Sequence, residues 1–531
     1  MSALAGTRHL VRLALRRDRV ALPIWVLVIG LLPASTAGAY AQLYPDAASR
    51  ASLTAGMRTN PSITLLYGPP FDLSTAGGFT AWRFGVFGPV FLALACIFTV
   101  TRHTRQEEDT GRQELLSSTV TGRYAALTAA LITTGLGAVG TGLLVALGLT
   151  GAGLPAAGSV AFGLGTALTG LVFAAVAAVA AQLAEYSRTA NGIAAAMLGI
   201  AFALRAVGDS ATDISWLSWL SPLGWSTQIR PFAGDRWAVA LLLLAAALAV
   251  GWGAYLLLPR RDVGMGIFPS RPGPPVAAPG LRSPFALAWR MHRGVLIGWI
   301  VGFAVFGAMF GSLAAGIGDI VGDSAQAQQM FERLGGAQNL VDTFLAAIAS
   351  IFGMVAAMYA VQATLRMRSE ETALRLEPLL ATRVRRLQWA ASHLVFSLLG
   401  TALLLLVAGL FAGLLHGLRV GDVSGQVPAV IGATLAQVPA VWVVVGISVV
   451  VFGFAPKFAT LAWAVAAVFL LLSLFGPVVR VPQVVLDISP FTHVPKLPSA
   501  EFAVTPFAWL LGVAVVTLGA GLARFQRRDI G

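Results

Sequence analysis

Arg105-Gln106-Glu107-Glu108-Asp109-Thr110-Gly111-Arg112-Gln113-Glu114-Leu115-Leu116 and Arg368-Ser369-Glu370-Glu371-Thr372-Ala373-Leu374-Arg375-Leu376-Glu377-Pro378-Leu379 decide how this chain is read. Superposed, they share the pattern Arg-x-Glu-Glu-x-x-x-Arg-x-Glu-x-Leu, and the matched residues lie about half the chain length apart. Each directly follows a long apolar run. On a continuous helix, Glu108–Arg112 and Glu371–Arg375 are Glu-before-Arg pairs at i,i+4, the favourable order. A solvated loop helix would have the same composition, but the same pattern at the same point of both halves argues for a shared task. Exposed charges with Leu anchors (Leu115, Leu116, Leu379, Leu380) are what a helix needs to dock a soluble partner. The copies differ at Pro378, where the first has Leu115.

The surroundings of these stretches set the fold class. The chain is 57% hydrophobic and 11% charged, against about 25% charged in a soluble protein. Recurrent continuous runs of about 20 apolar residues exclude a soluble core, and their lack of alternation excludes an outer-membrane barrel. The expected fold is an all-α polytopic membrane protein. The net charge of +13 is carried almost wholly by Arg, since Lys457 and Lys496 are the only lysines. Most of these arginines sit at span ends on one predicted side, which the positive-inside rule explains. No basic patch with interleaved aromatics occurs outside the spans, so nucleic acid is not a partner. The single cysteine, Cys96, excludes an intrachain disulfide. The first apolar run is long enough to span and lacks a cleavage site, so no signal peptide is expected.

Residues 1–20 read as an amphipathic helix on the membrane surface. Spans follow at about 21–43, 82–101, 124–150, 160–183, 191–207 and 237–258. Residues 44–81 look extended and loop-like. The stretch 209–236, with Trp216, Trp219 and Trp225, is too broken to span and suits an interfacial or re-entrant hairpin. The pattern then restarts. Leu287-Ala288-Trp289-Arg290 echoes Leu13-Ala14-Leu15-Arg16, and Arg527-Arg528-Asp529-Ile530-Gly531 repeats Arg260-Arg261-Asp262-Val263-Gly264. A second set of spans is expected at about 295–315, 340–361, 387–415, 427–452, 460–477 and 506–523. The reading is twelve transmembrane helices in two parallel six-helix repeats, with N- and C-termini cytoplasmic. The first half is 1–264, a Pro/Gly-rich linker covers 265–284, and the second half is 285–531.

Chemistry is sparse. The histidines His9, His103, His292, His393, His416 and His493 show no metal-ligand spacing and read as surface or interface residues. No metal site and no catalytic grouping is expected. A Walker A loop needs Gly-Lys-Ser/Thr, yet Lys457 follows Pro456 and Lys496 follows Pro495. If ATP drives this protein, a separate polypeptide must hydrolyse it. Arg83, Arg205 and Asp342 fall near predicted outer ends, as snorkelling anchors or parts of an outer gate. The near-absence of charge deep in the spans disfavours ion-coupled transport. Phe84, Phe87, Phe91 and Phe98 share a helical face, suited to helix or lipid contact or to a cavity wall.

A short charged helix after the second span, ending Glu-Leu-Leu, resembles the coupling helix of ABC type-2 exporter permeases. The leading surface helix resembles their connecting helix, and the broken Trp/Pro segment their outer re-entrant helices. The tandem fusion, the Arg-Arg-Asp endings and the Arg-rich, Lys-poor composition are most similar to actinobacterial exporters of polyketide antibiotics, the tetronasin-type permeases. The resemblance implies a multi-pass protein of the bacterial plasma membrane that moves hydrophobic drugs or antibiotics outward. Two copies of a separate ABC ATPase subunit would bind ATP and magnesium, leaving no cofactor in this chain. They would grip Arg105, Glu107, Glu108, Arg112, Glu114 and Leu116, and Arg368, Glu370, Glu371, Arg375, Glu377 and Leu379. In that family the second and fifth spans line the substrate cavity, which here points to Phe84, Phe87, Phe91, Phe202, Phe352 and Trp463. The alternative is an ion-coupled secondary multidrug transporter, since six-plus-six parallel repeats also occur there.

Overall fold

The computed structural model describes all residues except 1, 45, 49, 52–53, 55–60, 119, 211, 269–272, 274, 321–336, 476–481, 501 and 530–531. The protein is helical throughout, with no strand among the described residues. It divides into two compact units, Met1–Gly273 and Pro274–Gly531.

In the first unit a surface helix α1 (Thr7–Arg17) precedes the membrane helix α2 (Ala21–Leu43). Two short helices follow, α3 (Pro61–Tyr67) and α4 (Ala76–Phe84), where the sequence suggested extended chain. Thr75 caps α4 by accepting from the Gly78 N–H, which gives this stretch a helix start that its prolines had obscured. Next come α5 (Phe87–His103), the charged pair α6 (Arg105–Asp109) and α7 (Arg112–Ser117), and then α8 (Ala125–Gly151), α9 (Ala156–Leu183) and α10 (Ser187–Ser210). The broken Trp segment is a 3-10 turn, Thr212–Leu220, and the short helix α11 (Pro222–Gln228), before α12 (Trp237–Leu257).

The fourth membrane helix, α9, is the axis of this unit. Its membrane window is 78% buried, against 11% for α12. Gly, Ala and Thr dominate its sequence, so neighbouring backbones can approach closely. A Cβ on Gly163 would lie 2.2 Å from the Gly142 carbonyl oxygen of α8. Its threonines turn their hydroxyls back on the helix, Thr166 to the Phe162 carbonyl and Thr169 to the Gly165 carbonyl, so neither hydroxyl faces the apolar surroundings unpaired.

The second unit comprises α13 (Pro284–Ile320), α14 (Ala337–Thr364), the charged pair α15 (Arg366–Thr372) and α16 (Leu376–Leu380), α17 (Arg386–Val420), α18 (Val423–Leu435), α19 (Val438–Phe454), α20 (Leu461–Phe475), α21 (Gln483–Leu486) and α22 (Val504–Arg527). The fourth span is again the buried one, 72% over its membrane window. It packs on the third and sixth spans in both units.

Two differences separate the halves. The surface helix of the second half runs without interruption into its span as α13. In the first, the chain breaks at Asp18, whose carboxylate turns inward. The fourth span of the second half is two helices, because Pro439 lacks the N–H that would continue the ladder from α18. Eleven helices are long and apolar enough to cross a membrane among the described residues. The remaining candidate, Leu461–Ser473, is shorter, and the end of the span expected at about 460–477 lies outside the described residues.

Replacing Gly163 by Leu drives a side chain into the α8 backbone, a strain of about 1–3 kcal/mol. The thermal unfolding midpoint in detergent should fall by several degrees. Gly253→Leu, where a Cβ meets nothing within 4 Å, should leave it unchanged.

Candidate coupling site and apolar groove

Both charged stretches are two short helices joined by a left-handed residue, not one helix. Gly111 has φ +70° between α6 and α7, and Leu374, its counterpart, has φ +56° between α15 and α16. Glycine takes that conformation without strain, whereas at Leu374 the repeat imposes it on a side chain that disfavours it. The break cancels the expected i,i+4 pairs. Glu108 does not meet Arg112, nor Glu371 Arg375. Instead the Arg112 Nε lies 3.6 Å from Glu107, and the Arg375 Nη1 lies 3.6 Å from Glu370.

The second glutamate of each pair is turned into the protein. Arg261 donates to Glu108 through Nη2 at 2.7 Å and Nη1 at 2.8 Å, a two-pronged guanidinium–carboxylate contact. Arg105 adds a bond of 2.7 Å to the same carboxylate, and the Gly264 N–H one of 3.0 Å. In the second half, Arg528 donates to Glu371 through Nη1 at 2.6 Å and Nη2 at 2.8 Å, and Arg368 lies 3.3 Å away. Arg261 and Arg528 are the second arginines of the repeated Arg-Arg-Asp endings. Arg105 is fully buried and donates to the Ala181 carbonyl at the end of α9 at 3.0 and 2.6 Å, where free helix carbonyls favour a cation.

The first glutamate is held differently in the two halves. Glu107 accepts from Arg17 of α1 at 2.7 Å, whereas Glu370 pairs with Arg366 of its own helix at 2.9 Å. Beside Glu107, Asp18 meets Arg102 at 2.7 Å and His103 at 2.5 Å. By the Leu-Ala-x-Arg match, the residue corresponding to Asp18 is His292, whose Nε2 lies 3.0 Å from the His393 Nδ1. Four of the histidines read as surface or interface residues, His103, His292, His393 and His416, are buried between helices. His103 has Asp18 as a polar partner, and Trp389 and Phe396 wall the His292–His393 pair.

The predicted docking residues therefore divide. Arg105, Glu107, Glu370 and Glu371 are buried, and Glu108, Arg368, Leu116 and Leu379 are partly covered. Arg112, Glu114, Arg375 and Glu377 remain exposed, with Gln106, Asp109, Leu115 and Pro378 beside them. Leu379 and Leu380 point to the protein's own core, not outward. The exposed rim is narrower than the motif.

The aromatic residues also divide. Phe84, Phe87 and Phe91 join Trp25, Leu32 and Tyr67 around an open apolar groove of about 520 Å³, with Arg83 at its lining. Phe98 is not part of it. Phe202 instead lies under the Arg205 guanidinium at 4.8 Å. Phe352 is packed between Phe303 and Phe310 at 5.6 and 6.0 Å, so it fills the core of the second unit. Trp463 lies on α20, outside the groove. Arg205 does not snorkel. It is fully buried, donates to the Leu65 carbonyl at 3.0 Å and faces Asp209 at 3.6 Å, an ion pair inside the span that offsets its burial.

Over its whole length the chain is 46% identical to the multidrug efflux system permease protein Rv1217c of Mycobacterium tuberculosis (strain ATCC 25618 / H37Rv), covering 96% of that protein. The chain belongs to the Rv1217c permease family. Residues 281–526 also match the family described as multidrug efflux system permease Rv1217c, C-terminal domain. Permease homology and many apolar helices agree on a multi-pass plasma-membrane protein. The match covers the whole chain, both charged stretches included.

Asp18 supplies a pH test. Burial raises its carboxyl pKa, but the His103 hydrogen bond and the charges of His103, Arg102 and Arg17 outweigh that and hold it below the ordinary value. A depressed carboxylate stabilises the fold above the unfolded pKa of about 4, and the benefit disappears as pH falls through the folded value. Asp18→Asn should lower the thermal midpoint at pH 7. The gap to the unsubstituted protein should close as the pH is taken below about 4.

Proposed function

We propose that this chain is the membrane permease of an ATP-driven ABC type-2 exporter that moves hydrophobic drugs out of the cell. The observation that carries the reading is the pair of repeated charged helices, each presenting a small exposed rim after the second span of its half. The multidrug efflux permease to which the chain is similar over its full length supports the drug-efflux part. The ATPase is a separate polypeptide that supplies ATP and magnesium binding, with one copy docked on each rim on the cytoplasmic side. Arg112, Glu114 and Leu115 form the first contact, and Arg375, Glu377 and Pro378 the second. The buried glutamates set the pose of these rims and do not face the partner. The groove bounded by Phe84, Phe87 and Phe91 is apolar and large enough to receive a lipophilic molecule.

Tagged protein purified from its own membranes should bring down a soluble ATPase with two copies per chain. In inverted vesicles, dye uptake into the lumen, the counterpart of efflux from the cell, should need ATP, stop with vanadate and survive a protonophore. Arg112→Glu with Leu115→Ala should reduce ATPase recovery severalfold, and Phe87→Ala should alter the relative transport of bulky and small drugs. Efflux that persists without ATP and collapses with the protonophore makes the protein an ion-coupled transporter instead.

A further inference from the structure

We propose that the Arg-Arg-Asp ending of each half is a transmission latch, in which Arg261 and Arg528 are positioning residues that bind the charged helices to the end of the last span. The inference rests on the proposed docking of an ATPase, and adds where the force of docking goes.

The latch joins segments far apart in sequence. Arg261 follows α12 after one 3-10 turn, Leu258–Arg260, and Arg528 directly follows α22. Their carboxylate partners lie just beyond the second span. Each contact is two-pronged and nearly dry, with side-chain exposures of 5% and 8% for Arg261 and Glu108, and 8% and 3% for Arg528 and Glu371. A fork-to-fork contact fixes orientation as well as distance, which a single bond on a flexible side chain does not.

Further bonds extend each latch into the bundle. In the first half, Arg261 Nε donates to Gln182 of α9 at 2.7 Å, and Arg105 bridges the Ala181 and Met265 carbonyls. In the second, Arg386 at the start of α17 donates to the Gln526 and Arg528 carbonyls at 3.0 and 2.7 Å. The Arg528 guanidinium also lies over Phe452 and Phe525 at 4.9 and 5.2 Å. A push on either rim therefore reaches the last span through the turn at Gly111 or Leu374 and the short helix that carries the latched glutamate.

The internal comparison supports this contact. Where the halves have diverged, as at Asp18 and His292, the supporting interactions differ. The guanidinium fork between the second glutamate and the second arginine of the ending is the same in both.

The test uses the tagged permease with its co-purified ATPase, reconstituted in liposomes, and the variants Arg261→Gln and Arg528→Gln. Normalised to the ATPase that each complex retains, dye moved per ATP should fall at least tenfold in both. An unchanged ratio of transport to hydrolysis overturns the latch. A second measurement needs no ATPase. Spin labels at Gln106→Cys and Leu256→Cys, in a Cys96→Ser background, report the separation of α6 from the end of α12. The distance distribution should be narrow with Arg261 and clearly broadened by Arg261→Gln; an unchanged distribution overturns the latch. Broadening in a permease that recovers no ATPase would overturn the proposed function and leave the latch standing.

Discussion

A carboxylate withdrawn from water must meet a cation or lose its charge. That constraint organises the charged end of this protein. Glu108 and Glu371 are each enclosed between an arginine of their own short helix and an arginine from the end of the last span. Removing one partner of such a buried pair costs about 3–5 kcal/mol. The short helices α6 and α15 are held in place by these contacts, since segments of this length have little stability alone. The exposed rims inherit their pose from the buried pairs beneath them.

The rest of each unit is built so that this end can be anchored. The fourth span runs through the middle of its neighbours, small residues allow close backbone contact, and hydroxyls are satisfied within their own helices. In the first unit the fourth span ends at the carbonyl that Arg105 caps. Its polar anchoring and apolar packing thus meet at one point. The aromatic groove lies by α2 and α5, and α5 leads directly into the first charged helix. The groove and the first charged stretch are therefore joined by one helix.

The spans were legible because continuous hydropathy over a membrane's thickness leaves few alternatives. The repeat was legible because charge is rare enough in this chain for two copies of a pattern to stand out. What the sequence hid were consequences of breaks and of distant partners. The i,i+4 rule placed Arg112 against Glu108 by assuming a continuous helix. Gly111 was the visible signal against that assumption, while Leu374 carried none. The Arg-Arg-Asp endings were evident as a repeat, but nothing local indicates that their second arginine reaches back to the second span. Phe84, Phe87 and Phe91 could be grouped by periodicity because they are close in sequence, whereas Phe202, Phe352 and Trp463 depended on tertiary neighbours that periodicity does not encode. The burial of His292 and His393 was hidden because each meets the other across two helices distant in sequence.

The central claim is that the buried glutamates serve the chain's own arginines. Hydrogen–deuterium exchange on the purified permease, with and without Arg528→Gln, tests it most directly. The account predicts faster exchange across 366–380 and around 522–529, with 105–117 unaffected, because each half closes its own clasp. Equal exchange across 366–380 in the two proteins would contradict it.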